Sequence, residues 1–141
     1  MKILLTIFCL LILVSCSNEV PSDRLVERNG IVYEVNSTTP FTGTSVYDGH
    51  LEGTNSSRHD YKEGLLDGLI VVFYDSGQIS ISSHHRKGIE HGLYETYYKN
   101  GQLDIRKNYK DGIEVGPFER YHKNGQLSHK GNYQEDRKSV V

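Results

Sequence analysis

From Tyr61 onward the chain repeats itself every 24 residues, and this register constrains its fold more than any other feature. Gly68, Gly92 and Gly116 form one series, Gly77, Gly101 and Gly125 a second, and Gly64, Gly88 and Gly112 a third. Ile79, Leu103 and Leu127 keep the same spacing, as do Tyr61, Tyr109 and Tyr133, with His85 in the remaining slot. Self-similarity at such a period marks stacked repeats, in which one unit cannot bury its apolar face without its neighbours. Arrays of this kind present extended surfaces for binding rather than pockets for chemistry.

Composition decides between helical and strand repeats. The chain has no alanine, against 14 glycines and 10 tyrosines. The best helix former is missing while turn and strand formers abound. One unit runs from Gly92 to Tyr98, through Lys99-Asn100-Gly101-Gln102, and back along Leu103 to Tyr109. Asn-Gly is a strong hairpin signal, and it predicts a type I′ turn at Asn100-Gly101 and Asn124-Gly125, with Ser76-Gly77 a weaker copy. Leu103, Ile105 and Tyr109 alternate with polar residues, as on a strand with one buried face. Ile70, Tyr94 and Phe118 share one position before the turn, and Phe73, Tyr97 and Tyr121 share another three residues on. An odd offset puts the two sets on opposite faces of a regular strand, so a bulge or twist is expected between them. The fold predicted is all-β: tandem 24-residue β-hairpins forming one elongated, twisted antiparallel sheet over residues 29–135. Six glycines are expected at its turns: Gly68, Gly77, Gly92, Gly101, Gly116 and Gly125. Pro40 to Gly43 reads as a divergent first unit and Gly30 to Val35 as a capping strand.

The N-terminus carries a different signal. Lys2 precedes an apolar run of 12 residues, Ile3 to Val14. A membrane-spanning helix needs about 20, so the run matches a signal-peptide core over residues 1–15. Leu13-Val14-Ser15-Cys16 resembles the lipobox of bacterial lipoproteins, which implies lipidation of Cys16 after cleavage. Two acyl chains or more are needed for stable anchoring. Cys9 would leave with the signal, so no thiol remains for a disulfide, a metal or catalysis. Residues 16–28 are polar, hold Pro21 and read as a flexible tether, and residues 136–141 as a frayed C-terminus.

Tyr97-Tyr98-Lys99-Asn100-Gly101-Gln102-Leu103, followed by Tyr109-Lys110-Asp111-Gly112 and Gly116, resembles the bacterial MORN-repeat variant. Pro40-Phe41-Thr42-Gly43 is similar to the opening of those proteins. The resemblance covers roughly residues 30 to 134. It implies consecutive β-hairpins in one sheet, frequent envelope lipoproteins, and for some members an antitoxin label. Ser17 after the cysteine, by resemblance to enteric lipoproteins, favours the outer membrane in a Gram-negative cell.

The candidate binding stripe is the ladder Phe73, Tyr97 and Tyr121, whose rings are expected to join units and keep their hydroxyls in water. Glu95 and Glu119 are equivalent and would stand about 9–10 Å apart, two strands along, as a solvated pair. His84 and His85 point to opposite faces and cannot share an ion. No metal, cofactor or catalytic constellation is expected. A net charge of -2 with interspersed signs lacks the basic stripe of a nucleic-acid binder. The function expected is a membrane-anchored, non-enzymatic protein-binding module in the cell envelope, antitoxin- or immunity-like by family label. An envelope spacer or cell-wall glycan binder is the alternative.

Overall fold

The structure is a computed structural model, and it describes residues 18–49 and 55–134. The signal peptide, Cys16 and residues 136–141 lie outside the described residues. Eleven strands make up the described chain: β1 (Glu19–Pro21), β2 (Leu25–Arg28), β3 (Ile31–Glu34), β4 (Gly43–Tyr47), β5 (Ser57–Lys62), β6 (Leu65–Phe73), β7 (Ile79–Arg86), β8 (Ile89–Tyr97), β9 (Leu103–Lys110), β10 (Ile113–Tyr121) and β11 (Leu127–Tyr133). Nine of them form one sheet in the order β1-β4-β5-β6-β7-β8-β9-β10-β11. From β4 onward each strand is antiparallel to its chain neighbour. At about 4.8 Å per strand the sheet is roughly 40 Å across. Burial is slight, as a single layer requires. Among the described residues only Val20 and Phe41 are buried hydrophobics.

The N-terminal segment departs from expectation. Residues expected as a tether form β1, a one-turn 3-10 helix (Ser22–Arg24) and β2. β1 runs parallel to β4, which buries Val20 opposite Ser45. The capping strand Ile31–Glu34 does not extend the large sheet. It pairs with β2 in a separate two-stranded sheet, seated by the Val32 N–H on the Gly64 carbonyl at 2.9 Å.

The type I′ turns are not at the Asn-Gly pairs where they are expected. Asp111 and Gly112 have φ of 51° and 79°, a two-residue type I′ loop between β9 and β10. Asn29-Gly30, Glu63-Gly64 and Lys87-Gly88 repeat it. At Asn100-Gly101 only the glycine has positive φ, 81°. Gly101 N–H donates to the Tyr98 carbonyl at 2.8 Å, and Tyr98 N–H donates to that of Gln102 at 2.8 Å. This is a three-residue loop with a left-handed glycine after the turn. Asparagine is favoured there by its side chain, since Asn100 Oδ1 accepts from Gln102 N–H at 3.1 Å. Gly68, Gly92 and Gly116 are not turn residues at all. They lie within β6, β8 and β10, directly opposite His85, Tyr109 and Tyr133. Each has a positive φ, of 128°, 111° and 69°, and lies where the pairing with the preceding strand shifts register, a backbone that favours glycine.

A further bulge is present, on the strand after the turn. Val72 pairs with Ile81 and Phe73 with Ile79, so Ser80 is the extra residue. Asp104 and Ser128 repeat it at 24-residue spacing. Directly paired residues share a face. The bulge therefore moves Leu103 to the face of Tyr97, while Ile105 and Tyr109 stay on the face of Tyr94. One regular face, as the alternation suggests, becomes two.

On the face of Tyr94 the rings interlock between strands. Tyr94 meets Tyr109 edge-on at 5.9 Å between centroids, and Phe118 meets Tyr133 at 5.9 Å. The Lys107 ammonium sits 4.9 Å from the centroids of both Tyr94 and Tyr109 and bonds Glu114 Oε1 at 2.5 Å. Burial disfavours its charge, but the bonds to Glu114 and Tyr109 outweigh burial and hold its pKa above the ordinary lysine value. The Lys107 bond likewise depresses the Glu114 carboxyl. A depressed carboxyl contributes stability above its unfolded pKa, and the contribution is lost as pH falls through the folded one. Glu114→Gln is thus expected to cost about 0.5–1 kcal/mol at pH 7, given its partial exposure. The difference from wild type should vanish in denaturant melts at pH 2. A cost that persists there would assign the effect to packing.

Candidate binding face

The opposite face carries the expected stripe, and register explains how it is built. Arg58, Val71, Ser82, Glu95, Arg106, Glu119 and Lys130 stand side by side in one row across seven strands. Its second half alternates in sign. Arg106 Nε lies 2.8 Å from Glu95 Oε1, and its Nη1 lies 3.6 Å from Glu119 Oε2. Glu95 and Glu119 are therefore bridged through one guanidinium, not a solvated pair.

The row fixes the rings beside it. Tyr97 hydroxyl donates to Glu95 Oε2 at 2.7 Å, and Tyr121 hydroxyl donates to Glu119 Oε2 at 2.8 Å. These hydroxyls are not left to water as expected, because residues two apart on a strand share a face. Burial, and then the bond to Glu95, push the Tyr97 phenol up to about 12. The main chain of both residues is held too. Tyr74 hydroxyl donates to the Tyr97 carbonyl at 2.5 Å and Tyr98 hydroxyl to the Tyr121 carbonyl at 2.8 Å. Each of these hydroxyls reaches into the next unit. Lys99 covers the Tyr74 ring at 5.8 Å and Lys123 the Tyr98 ring at 5.9 Å.

Beyond the charged row each hairpin ends in an aromatic–aliphatic pair: Phe73 with Ile79, Tyr97 with Leu103, and Tyr121 with Leu127. Ile79 is 40% exposed and Leu127 is 47% exposed, while the other four are half-buried. All three predicted stripe residues thus fall on one face, at steps of about 10 Å. The three aliphatic partners were legible as a series but not as members of the stripe. Tyr74, Tyr98, Glu95, Arg106 and Glu119 were missed as its supports. Tyrosine recurring at 24 residues, directly after the stripe ring in Phe73-Tyr74 and Tyr97-Tyr98, was the available signal for the first two. Among the described residues no group of histidine, cysteine or acidic side chains is placed to hold a metal.

The geometry defines a class: an open-sheet hairpin-repeat protein with a rigid aromatic–aliphatic stripe. Residues 90–111 and 114–135 match the family model described as MORN repeat variant. These two adjacent units are similar to MORN-variant repeats, and they carry two of the three stripe residues, Tyr97 and Tyr121. No curated protein and no solved structure is matched by the chain.

Proposed function

We propose that the protein is a lipid-anchored module that binds a protein partner through the Phe73–Leu127 stripe and performs no catalysis. The observation that carries this reading is the stripe itself. Three aromatic–aliphatic pairs remain accessible while their tyrosines are fixed at hydroxyl and carbonyl. Aromatic anchors that are already ordered lose little entropy on binding, which favours them as interface residues. The carboxylates that a hydrolase would need are engaged by Arg106 and the tyrosine hydroxyls. Attachment through Cys16 at the envelope follows from the lipobox-like sequence. The antitoxin label carried by part of the resembling family makes a toxin the first partner to test, with an immunity role as the corollary.

The test is site-specific photocrosslinking in cells, with the photoreactive side chain at Leu103 and, as a control on the opposite face, at Glu90. One discrete adduct from Leu103 is expected, reduced by about 30-fold or more when Tyr97 and Tyr121 are both changed to alanine. Circular dichroism must show that this variant folds. Cys16→Ser should move the adduct from the membrane to the soluble fraction. Diffuse crosslinking to envelope material, equal in wild type and variant, would leave an envelope spacer as the better reading. A soluble wild type would remove the anchor.

A further inference from the structure

The repeat supplies its own template for a second site, on the face opposite the stripe. In one unit Tyr94 and Tyr109 form an edge-on pair, and Lys107 places its ammonium against both rings. Twenty-four residues later Phe118 and Tyr133 form the same pair, with the same 5.9 Å separation and an interplanar angle of 68° against 77°. The residue equivalent to Lys107 is Gly131. A Cβ at Gly131 would meet no described residue within 4 Å, so among the described residues the space that lysine fills in one unit is open in the next. Tyr133 is 39% exposed, which leaves its ring accessible. Its hydroxyl bonds Glu114, the carboxylate that also receives Lys107. The ring faces are the elements that attract an organic cation, the Glu114 carboxylate beside them being already paired with Lys107.

We propose that the Phe118–Tyr133 pair is a receptor for an alkylammonium group from outside the chain, and that its occupant is a lysine side chain of a protein. The internal occupant of the equivalent pair identifies the ligand chemistry as a primary ammonium on an alkyl stem. Phenylalanine in place of the first tyrosine keeps the π-face and removes a hydroxyl, so the site selects charge over hydrogen-bond geometry. The site and the stripe are on opposite faces, so each stands or falls without the other.

The experiment is a titration of the full-length protein, carbon-13 labelled at phenylalanine and tyrosine, followed by aromatic NMR. Nα-acetyl-lysine methylamide is expected to give weak, saturable shifts of the Phe118 and Tyr133 rings. Nα-acetyl-norleucine methylamide, which lacks the ammonium, should give none. Gly131→Lys should abolish the response by supplying the cation internally, and Phe118→Leu should abolish it by removing a ring face. Gly131 has no positive φ and an open Cβ position, so its substitution is compatible with folding. Absence of any ring shift, or equal shifts with norleucine, overturns the proposal. Stronger shifts with phosphoethanolamine overturn the lysine assignment in favour of a lipid headgroup. Lys138 is the chain's own lysine nearest in sequence after Tyr133, and Lys138→Ala should leave the titration unchanged. A response seen only in that variant would overturn the external occupant.

Discussion

Gly64→Ala is expected to destabilise the protein by about 3–5 kcal/mol, and Gly30→Ala by only about 1 kcal/mol. The two glycines occupy the same turn position with nearly the same backbone, φ 77° and 79°. The strain of placing an L side chain there is therefore common to both. What differs is the space. At Gly30 a Cβ meets no described residue within 4 Å. At Gly64 its nearest neighbours would be Ile31 Cγ2 at 2.3 Å, the Val32 carbonyl oxygen at 2.8 Å and the Val32 nitrogen at 3.0 Å. The isoleucine methyl can rotate away. The Val32 backbone cannot, because its N–H is committed to the Gly64 carbonyl. Alanine at Gly64 must then lift the β2–β3 hairpin from the end of the sheet. Parallel urea melts of the two variants measure the difference. Equal costs would mean that the small hairpin is not seated on this turn.

The same contrast shows where the sequence stops being informative. A glycine series at 24 residues announces hairpins, and the hairpins are there. It does not say which glycines turn the chain and which supply a left-handed residue inside a strand, because both needs select the same residue. Gly92 and Gly112 look alike in the sequence and serve those two purposes. The odd offset between Tyr94 and Tyr97 requires two faces, and both exist. The extra residue nevertheless falls on the facing strand, at Asp104, since offsets along one strand carry no information about its partner. Glu95, Arg106 and Glu119 meet only through strand register, so their row has no local signature. Tyr97 and Tyr121 were legible because they repeat. Residues 19–28 were not, because a three-residue parallel strand and a four-residue hairpin arm are shorter than any period a pattern can show.

Phe41→Ala is expected to cost about 3–4 kcal/mol and to spend nearly all of it at one end of the sheet. Phe41 is 3% exposed, the most buried hydrophobic residue among those described. Its ring packs 5.8 Å from that of Tyr61, its N–H donates to the Val32 carbonyl at 2.8 Å, and its carbonyl accepts from Gly64 N–H at 2.7 Å. It thereby ties β3, the Glu63-Gly64 turn and β5 together. Further along, the hairpins are held by contacts of their own: Tyr94 on Tyr109, Arg106 between two carboxylates, and Tyr98 on the Tyr121 carbonyl. In a linear array each unit contacts only its neighbours, so a loss at one end opens that end first. Amide protection in β2 to β5 should fall by about 10²–10³ in hydrogen exchange, at 1.4 kcal/mol per tenfold. Amides of β8 to β11 should change little. That outcome would leave Tyr97 and Tyr121 displayed on a folded sheet and make Phe41→Ala a control for stripe binding. A uniform fall across all strands would instead show that the sheet unfolds as one cooperative body, its stripe dependent on a residue at the far end.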